Sequence, residues 1–259
     1  MTSRNGWTRD QLLIAFGLYC RLPFGKLHSR NPAIIENAEK IGRTPSALAM
    51  KLTNIASLDP AIMASGRSGL SGASAADKAM WQEMNVDWYQ FAMAVHAAQE
   101  ALSVVHDLAL EEEGFIDSVE DVSYLGSTKE SLVNVRVGQA FFRNSVLSAY
   151  DNRCCVSGLA LPELLVASHI VPWSKDDHNR LNPKNGLAMS VLHDKAFDRG
   201  FITIADDLTV RVSASARKNA DSFFSSAIAV YDGTPIALPE KFRPEPSFLQ
   251  YHRTHVFND

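Results

Sequence analysis

Residues 164–200 decide the fold of the C-terminal half of this chain and read LLVASHIVPWSKDDHNRLNPKNGLAMSVLHDKAFDRG. The first part, Leu164–Val171, is an apolar run of the length and composition of a strand, and it carries Ser168 and His169 near its end. A polar loop over residues 174–183 follows. The pattern therefore predicts a strand that delivers a histidine to the start of a loop.

The rest of the stretch predicts a second strand-like segment and a helix. Asn185–Met189 is a short apolar segment, and His193–Gly200 is typical of a helix that a glycine closes. Upstream, Cys154–Gly158 is a further short β-prone run that ends in a turn. Together these segments predict a small unit of strands and one helix that carries a histidine, an asparagine and two carboxylates.

These side chains suit the hydrolysis of a phosphodiester bond, which needs a base for water, a cation and rigid positioning. His169 is the candidate base, because an imidazole with a pKa near its usual 6.5 accepts a proton at neutral pH. Asn185 is the candidate brace, through hydrogen bonds to backbone. Asp194 and Asp198 are four residues apart and hence on one helix face, where carboxylate oxygens suit Mg²⁺ or Mn²⁺.

The register of the helix leaves the third ligand position open between two residues. Asp194 stands nine residues after Asn185, and His193 stands one residue earlier. A shift of one residue turns a helical side chain by about 100°. We favour Asp194 as the ligand, with His193 as the alternative if the helix begins late.

Four motifs in order resemble the ββα-metal finger, or His-Me finger, of HNH endonucleases, and most closely a subgroup common among candidate bacterial restriction enzymes. They are Cys154–Gly158 for Cys-x-x-[Ser/Thr]-Gly, Ala167–Pro172 for Ala-[Ala/Ser]-His-Ile-x-Pro, Asn185–Leu187 for Asn-Gly-Leu, and Asp194–Gly200 for [His/Asp]-x-x-Phe-Asp-x-Gly. With the ending Tyr251–Phe257, the resemblance covers roughly residues 135–257. It departs at Ser168, where many relatives supply a first ligand, so few protein groups, with water and phosphate, are expected to hold the metal.

The resemblance implies a divalent-metal-dependent endonuclease that hydrolyses double-stranded DNA in restriction or antiviral defence. Mg²⁺ or Mn²⁺ is the expected ion, with Zn²⁺ or Ni²⁺ as alternatives. Two other functions stay open: a non-catalytic DNA-binding or regulatory protein that keeps the HNH fold, and a nuclease that acts on RNA or branched DNA. Candidate phosphate contacts in this domain are Arg153, Arg180, Lys184, Lys195 and Arg199.

The N-terminal part predicts three helices, because each start carries a capping signal. These starts are a capping box at Thr8–Gln11 and the cap-plus-proline pairs Asn31-Pro32 and Thr44-Pro45. The tight turn Gly42–Thr44 gives the last two helices the form of a helix-turn-helix. In a DNA-binding unit of that kind, Arg43 and Lys51 would face the major groove; the alternative is a helical bundle with a solvated polar face.

A helical pattern over Ser74–Glu113 carries Trp81, Trp88 and Phe91, which are candidates for the core or for a dimer contact. The acidic stretch Glu111–Asp121 predicts a solvated linker and a domain boundary near residue 125, before a helix over Val137–Tyr150. We therefore predict an α+β protein with two domains: a helical module over residues 1–125 and an HNH nuclease domain over residues 126–259. The helical module would serve in DNA binding or in forming a homodimer.

The composition agrees with a globular protein of one or two domains. The chain has 259 residues and a net charge of −4, but residues 1–60 carry +4 and residues 61–128 carry −9, so the net charge does not exclude a nucleic-acid partner. Cys154 and Cys155 are adjacent and Cys20 is distant, which is not a disulfide framework and favours a reducing cytoplasm. No apolar run predicts a signal peptide or a membrane span.

Overall fold

The computed structural model describes residues 6–66, 72–111, 126–218 and 221–259 and shows an α+β fold. The helices are α1 (Arg9–Arg21), α2 (Pro32–Lys40), α3 (Pro45–Ala56), α4 (Pro60–Ala64), α5 (Ala75–Val86), α6 (Trp88–Glu111), α7 (Gly126–Ala149), α8 (Val191–Asp198), α9 (Ala214–Arg217), α10 (Ser222–Ala227) and α11 (Pro246–His255). The strands are β1 (Leu165–His169), β2 (Gly186–Ser190), β3 (Ile202–Ile204) and β4 (Val210–Val212). None of the helices in these described ranges is long and apolar enough to cross a membrane.

The chain forms two compact units. The first unit comprises residues 1–58 and 67–141, and the second comprises residues 59–66 and 142–259. The division thus falls inside α7, whereas the predicted boundary near residue 125 lies outside the described residues. The acidic linker itself, beyond Glu111, lies outside the described residues.

The three predicted helix starts of the first unit are confirmed. The Thr8 side chain and Gln11 form the capping box of α1, and Asn31 and Thr44 cap α2 and α3, each with proline in the first turn. Gly42 turns the chain between α2 and α3 at a φ of +65°. Local hydrogen bonds within three residues fix these boundaries, which is why the sequence predicts them well.

The aromatic stripe forms the core of the first unit. Trp88 and Phe91 are buried, with 2% and 1% of their surface exposed. Phe91 meets Phe16 of the buried helix α1 edge-on at a centroid distance of 6.1 Å, and Phe141 packs at 6.4 Å from both Trp88 and Phe91. Of the two alternatives for this stripe, the structure therefore shows the core.

The two basic residues expected to contact DNA are instead engaged inside the first unit. The buried Lys51 ammonium lies 2.8 Å and 3.0 Å from the two carboxylate oxygens of the buried Asp77. The Arg43 guanidinium donates to Gln11 and to the Gly6 carbonyl. We therefore correct the prediction for Lys51, which stabilises the fold rather than faces a groove. Arg43 is half-buried, and its contact with DNA stays a prediction.

In the second unit, β1, β2 and α8 form a ββα arrangement. The two strands are antiparallel, with Leu165 opposite Ser190 and His169 opposite Gly186. α8 follows β2 directly and packs against both strands, and the Ser190 hydroxyl caps it. Gly200 ends the helix at a φ of +70°, as the sequence predicted.

The second unit also corrects one strand prediction. Cys154–Gly158 forms turns rather than a strand. The Ser157 amide donates to the Cys154 sulfur at 3.4 Å, the Gly158 amide donates to the Cys154 carbonyl, and Gly158 takes a φ of +72°. Because these hydrogen bonds form tight turns, the segment does not become an extended strand despite its β-prone composition.

Candidate active site

An open cleft of about 560 Å³ lies between β1, the loop that follows it, and α8. Its lining residues are Ala167, His169, Pro172, Trp173, Asp194, Lys195, Asp198 and Arg199. The structure thus brings together the predicted base, both predicted carboxylates and two of the predicted phosphate contacts. β1 and β2 supply the rigid base of this site, and one face of α8 supplies its charges.

Contacts of the His169 ring fix its orientation, in addition to its position on β1. Its Nε2–H donates to the backbone carbonyl of Arg180 at 2.9 Å, and since a carbonyl only accepts, this contact fixes the proton on Nε2. The ring stacks on Phe142 at a centroid distance of 4.0 Å and meets Trp173 edge-on at 5.5 Å. Nδ1 is therefore the ring nitrogen that carries a lone pair and can accept a proton.

The surroundings of His169 favour its neutral form. Burial lowers the pKa of His169 below 6.5, and the Arg180 carbonyl and the nearby Asp194 carboxylate oppose this shift without cancelling it. The imidazole is therefore neutral at neutral pH, with Nε2 as donor and Nδ1 as acceptor. That is the protonation state of a general base.

Asn185 ties the loop after β1 to the start of β2. Its buried side chain accepts a hydrogen bond from the Val171 amide at 2.8 Å. Its amide donates to the Val171 carbonyl at 3.2 Å and to the Asn179 carbonyl at 3.3 Å. All three partners are backbone groups of the loop that also carries the Arg180 carbonyl, so Asn185 acts on His169 through that loop.

Asp194 and Asp198 line the same cleft from successive turns of α8, and their charges oppose each other. Partial burial and the Asp194 carboxylate raise the pKa of Asp198, while Lys195 and Arg199 lower it. Two hard oxygen donors that repel each other fit a divalent cation of the Mg²⁺ or Mn²⁺ kind, because the ion relieves this repulsion. Within the described residues, no three His, Cys, Asp or Glu side chains gather as a ready-made metal cluster.

Residues 154–205 match the family model described as HNH endonuclease. The chain contains an HNH endonuclease domain. A solved structure described as a modification dependent TagI restriction endonuclease is similar over 46% of this chain and 38% of its own length, at 20% identity and a TM-score of 0.34. The curated proteins include no match to this chain.

His193 of the HNH domain does not reach the cleft. It is 4% exposed, and its Nε2–H donates to the Ala227 carbonyl at 3.0 Å. Its Nδ1 lies 2.8 Å from the Ser190 hydroxyl and 3.6 Å from the Cys154 sulfur. α8 begins at Val191, so the helix does not start late, and the alternative that gave His193 the ligand position is corrected: this histidine packs the core side of α8.

Other predicted phosphate contacts are also placed elsewhere. The Arg180 side chain donates to the Trp173 carbonyl at 2.7 Å and pairs with Asp177, so it shapes the loop rather than the cleft wall. Arg153 and Lys184 are absent from the described lining of the cleft. Lys195 and Arg199 remain as the cations of the site.

Ser168 contributes no donor to the cleft. It is 1% exposed, while its neighbours Ala167 and His169 line the cleft. Alternate residues of a strand face opposite sides, so Ser168 points away from the site. The departure from the motif at this position therefore leaves α8 as the source of the carboxylates.

The sequence did not single out Phe142 or assign Trp173 to the site. Phe142 lies on α7, which the sequence predicted as a helix, but the face that meets β2 depends on packing. Gly186 permits this contact: a Cβ there would lie 2.9 Å from the Phe142 ring and 2.3 Å from the Val146 side chain. The glycine of the Asn-Gly-Leu motif is the one sequence signal for this close approach.

Proposed function

We propose that this protein is an endonuclease that hydrolyses phosphodiester bonds of double-stranded DNA with the aid of a divalent ion, Mg²⁺ or Mn²⁺. The observation that carries the proposal is the neutral His169, fixed through its Nε2–H, in one cleft with two carboxylates and two cations. A role in restriction or antiviral defence in the cytoplasm is part of the proposal and rests on the motif resemblance alone.

In this mechanism His169 Nδ1 accepts a proton from the water that attacks phosphorus. The P–O bond to one sugar oxygen breaks, and that oxygen takes a proton from solvent. The Arg180 carbonyl keeps the ring oriented, and the same hydrogen bond from Nε2–H stabilises the imidazolium that forms. Lys195 and Arg199 bind the phosphate and hold it against the base. Asp194 and Asp198 would hold the divalent ion, which supplies positive charge for the developing charge on the phosphate.

The test is cleavage of supercoiled plasmid by protein freed of metal and then given Mg²⁺ or Mn²⁺. We expect nicked and linear products with metal and none with EDTA. His169→Ala should lower the rate by about 100-fold or more, the scale for removing a general base. His178→Ala is the matched control, because His178 is exposed in the same loop and does not line the cleft.

The dependence of the rate on pH tests the same base. Because burial lowers the pKa of His169, kcat/KM should fall only below pH 6.5 and should be level at neutral pH. A His169→Ala variant that cuts as fast as the wild type would refute the mechanism. Cleavage of RNA or branched DNA, with intact duplex left uncut, would favour the alternative nuclease function.

The metal is tested by binding as well as by activity. Asp194→Asn should weaken Mn²⁺ binding in calorimetry and abolish cleavage together, because it removes one of two donor carboxylates. His193→Ala should affect stability rather than Mn²⁺ affinity, since its ring contacts core groups. If His193→Ala lost the metal and Asp194→Asn kept it, the assignment of the ligands would be wrong.

A further inference from the structure

A second concave surface lies beside the cleft, and the mechanism above does not use it. This groove of about 330 Å³ has an apolar lining formed by Leu192, Ala196, Phe201, Ala216, Phe224 and Ile228. Its volume is at the lower end of the range of roughly 300–1,000 Å³ for small-molecule sites. Phe201 is 42% exposed and Leu192 is 38% exposed. A ligand that removed this apolar surface from water would lower the free energy of the system.

Lys195 and Arg199 border both the groove and the catalytic cleft. Neither forms an ion pair with a carboxylate among the described residues, so both are available to an anionic ligand. The groove is thus apolar inside and cationic at the edge that it shares with the site of hydrolysis. A ligand that matches both parts has an apolar body with an anionic group attached to it.

We propose that this groove binds one unstacked nucleobase of the strand being cut, while Lys195 and Arg199 hold the scissile phosphate, which adjoins the nucleotide of that base. The inference rests on the proposed action on DNA and adds a subsite to it. Phe201 and Phe224 supply aromatic faces for the base, since stacking on aromatic side chains is open to every base. Bases that leave the helical stack easily, such as those in mismatched pairs, are therefore preferred at this position.

The proposal is tested with the His169→Ala protein, which is expected to bind duplex DNA without cutting it. Duplexes that span a mapped cleavage site carry 2-aminopurine at one position each. A base that leaves the stack gains fluorescence, so we expect a rise at one position next to the scissile phosphate. Phe201→Ala or Phe224→Ala in this background should remove the rise and weaken binding roughly 10-fold.

Phe223→Ala is the matched control. Phe223 precedes Phe224 on α10 and is 65% exposed, but it does not line the groove. This variant should keep both the fluorescence rise and the affinity. A duplex with an abasic site at the responsive position should bind the His169→Ala protein and its Phe201→Ala derivative equally, because no base is left to stack.

The outcomes separate this inference from the proposed function. If the wild type cuts DNA but no position gains fluorescence, or if Phe223→Ala abolishes the rise as Phe201→Ala does, the subsite is refuted and the nuclease stands. If the wild type cuts no DNA with any divalent ion, both fall. If Phe201→Ala dissociates a wild-type dimer in sedimentation and leaves DNA affinity unchanged, the groove is an interface between copies, and the inference is wrong.

Discussion

Replacing Asn185 by alanine removes three hydrogen bonds at once from the loop that orients the catalytic histidine. The side chain accepts from the Val171 amide and donates to the carbonyls of Val171 and Asn179. Each bond contributes about 1 kcal/mol net, and leaving buried backbone groups unpaired adds about 1–3 kcal/mol. We therefore expect Asn185→Ala to lower the free energy of unfolding by about 4–6 kcal/mol.

The same substitution should lower the cleavage rate even where the protein is folded. The loop includes the Arg180 carbonyl, which holds His169 by a 2.9 Å hydrogen bond. A displacement of about 1 Å at a reacting group costs on the order of 100-fold in rate. We expect a loss of that size in kcat, measured on plasmid DNA at a temperature where circular dichroism shows the variant to be folded.

Asn182→Ala is the control for Asn185→Ala, because it removes the same side chain from the same loop. Asn182 is half-buried and caps the short turn before β2, where it accepts from the Lys184 amide at 3.1 Å. Loss of such a cap costs about 1 kcal/mol, and cleavage should stay within a few-fold of the wild type. If urea denaturation showed both variants equally stable and both cut equally well, the bracing role of Asn185 would be refuted.

Three further predictions follow from buried groups of both units. Burial lowers the pKa of His252 from 6.5 to about 4. The stability that its neutral form contributes, about 3 kcal/mol, is therefore complete above about pH 6.5 and is lost as the pH falls through about 4. Urea denaturation between pH 7 and pH 4 should show a weaker pH dependence of the free energy of unfolding for His252→Phe. Gly186→Ala should destabilise the protein by about 1–3 kcal/mol and slow cleavage, because its new Cβ displaces the Phe142 ring that stacks on the catalytic histidine; unchanged melting and activity would contradict this packing. Lys51→Ala should lower the free energy of unfolding by about 3–5 kcal/mol, because it leaves the buried Asp77 carboxylate unpaired. The folded variant should bind DNA with the same salt dependence as the wild type, and a flatter salt dependence would show that Lys51 contacts phosphate after all.

The helix starts and the ββα arrangement were predictable because they depend on neighbours in the chain. A capping residue such as Asn31 bonds to an amide two residues later, and Gly200 is needed wherever a helix ends in the left-handed region. Three of the residues that line the cleft were predictable for a related reason. His169 ends a strand, and Asp194 and Asp198 share a helix face, so secondary structure alone sets their relative directions.

The partners of long side chains across the fold were decided only by tertiary packing. Lys51 and Arg43 are residue types that contact DNA in helix pairs of this form. In the folded chain, however, Lys51 pairs with the Asp77 carboxylate and Arg43 donates to the Gly6 carbonyl. His193 stands beside Asp194 in the sequence, yet it turns to the core, because a rotation of about 100° per residue separates their directions. The sequence by itself determined which catalytic side chains this chain carries, because their positions on a strand or a helix depend on neighbouring residues. The tertiary structure decided which charged groups can still bind a phosphate or a metal ion, because a buried charge needs a partner that only the folded chain supplies.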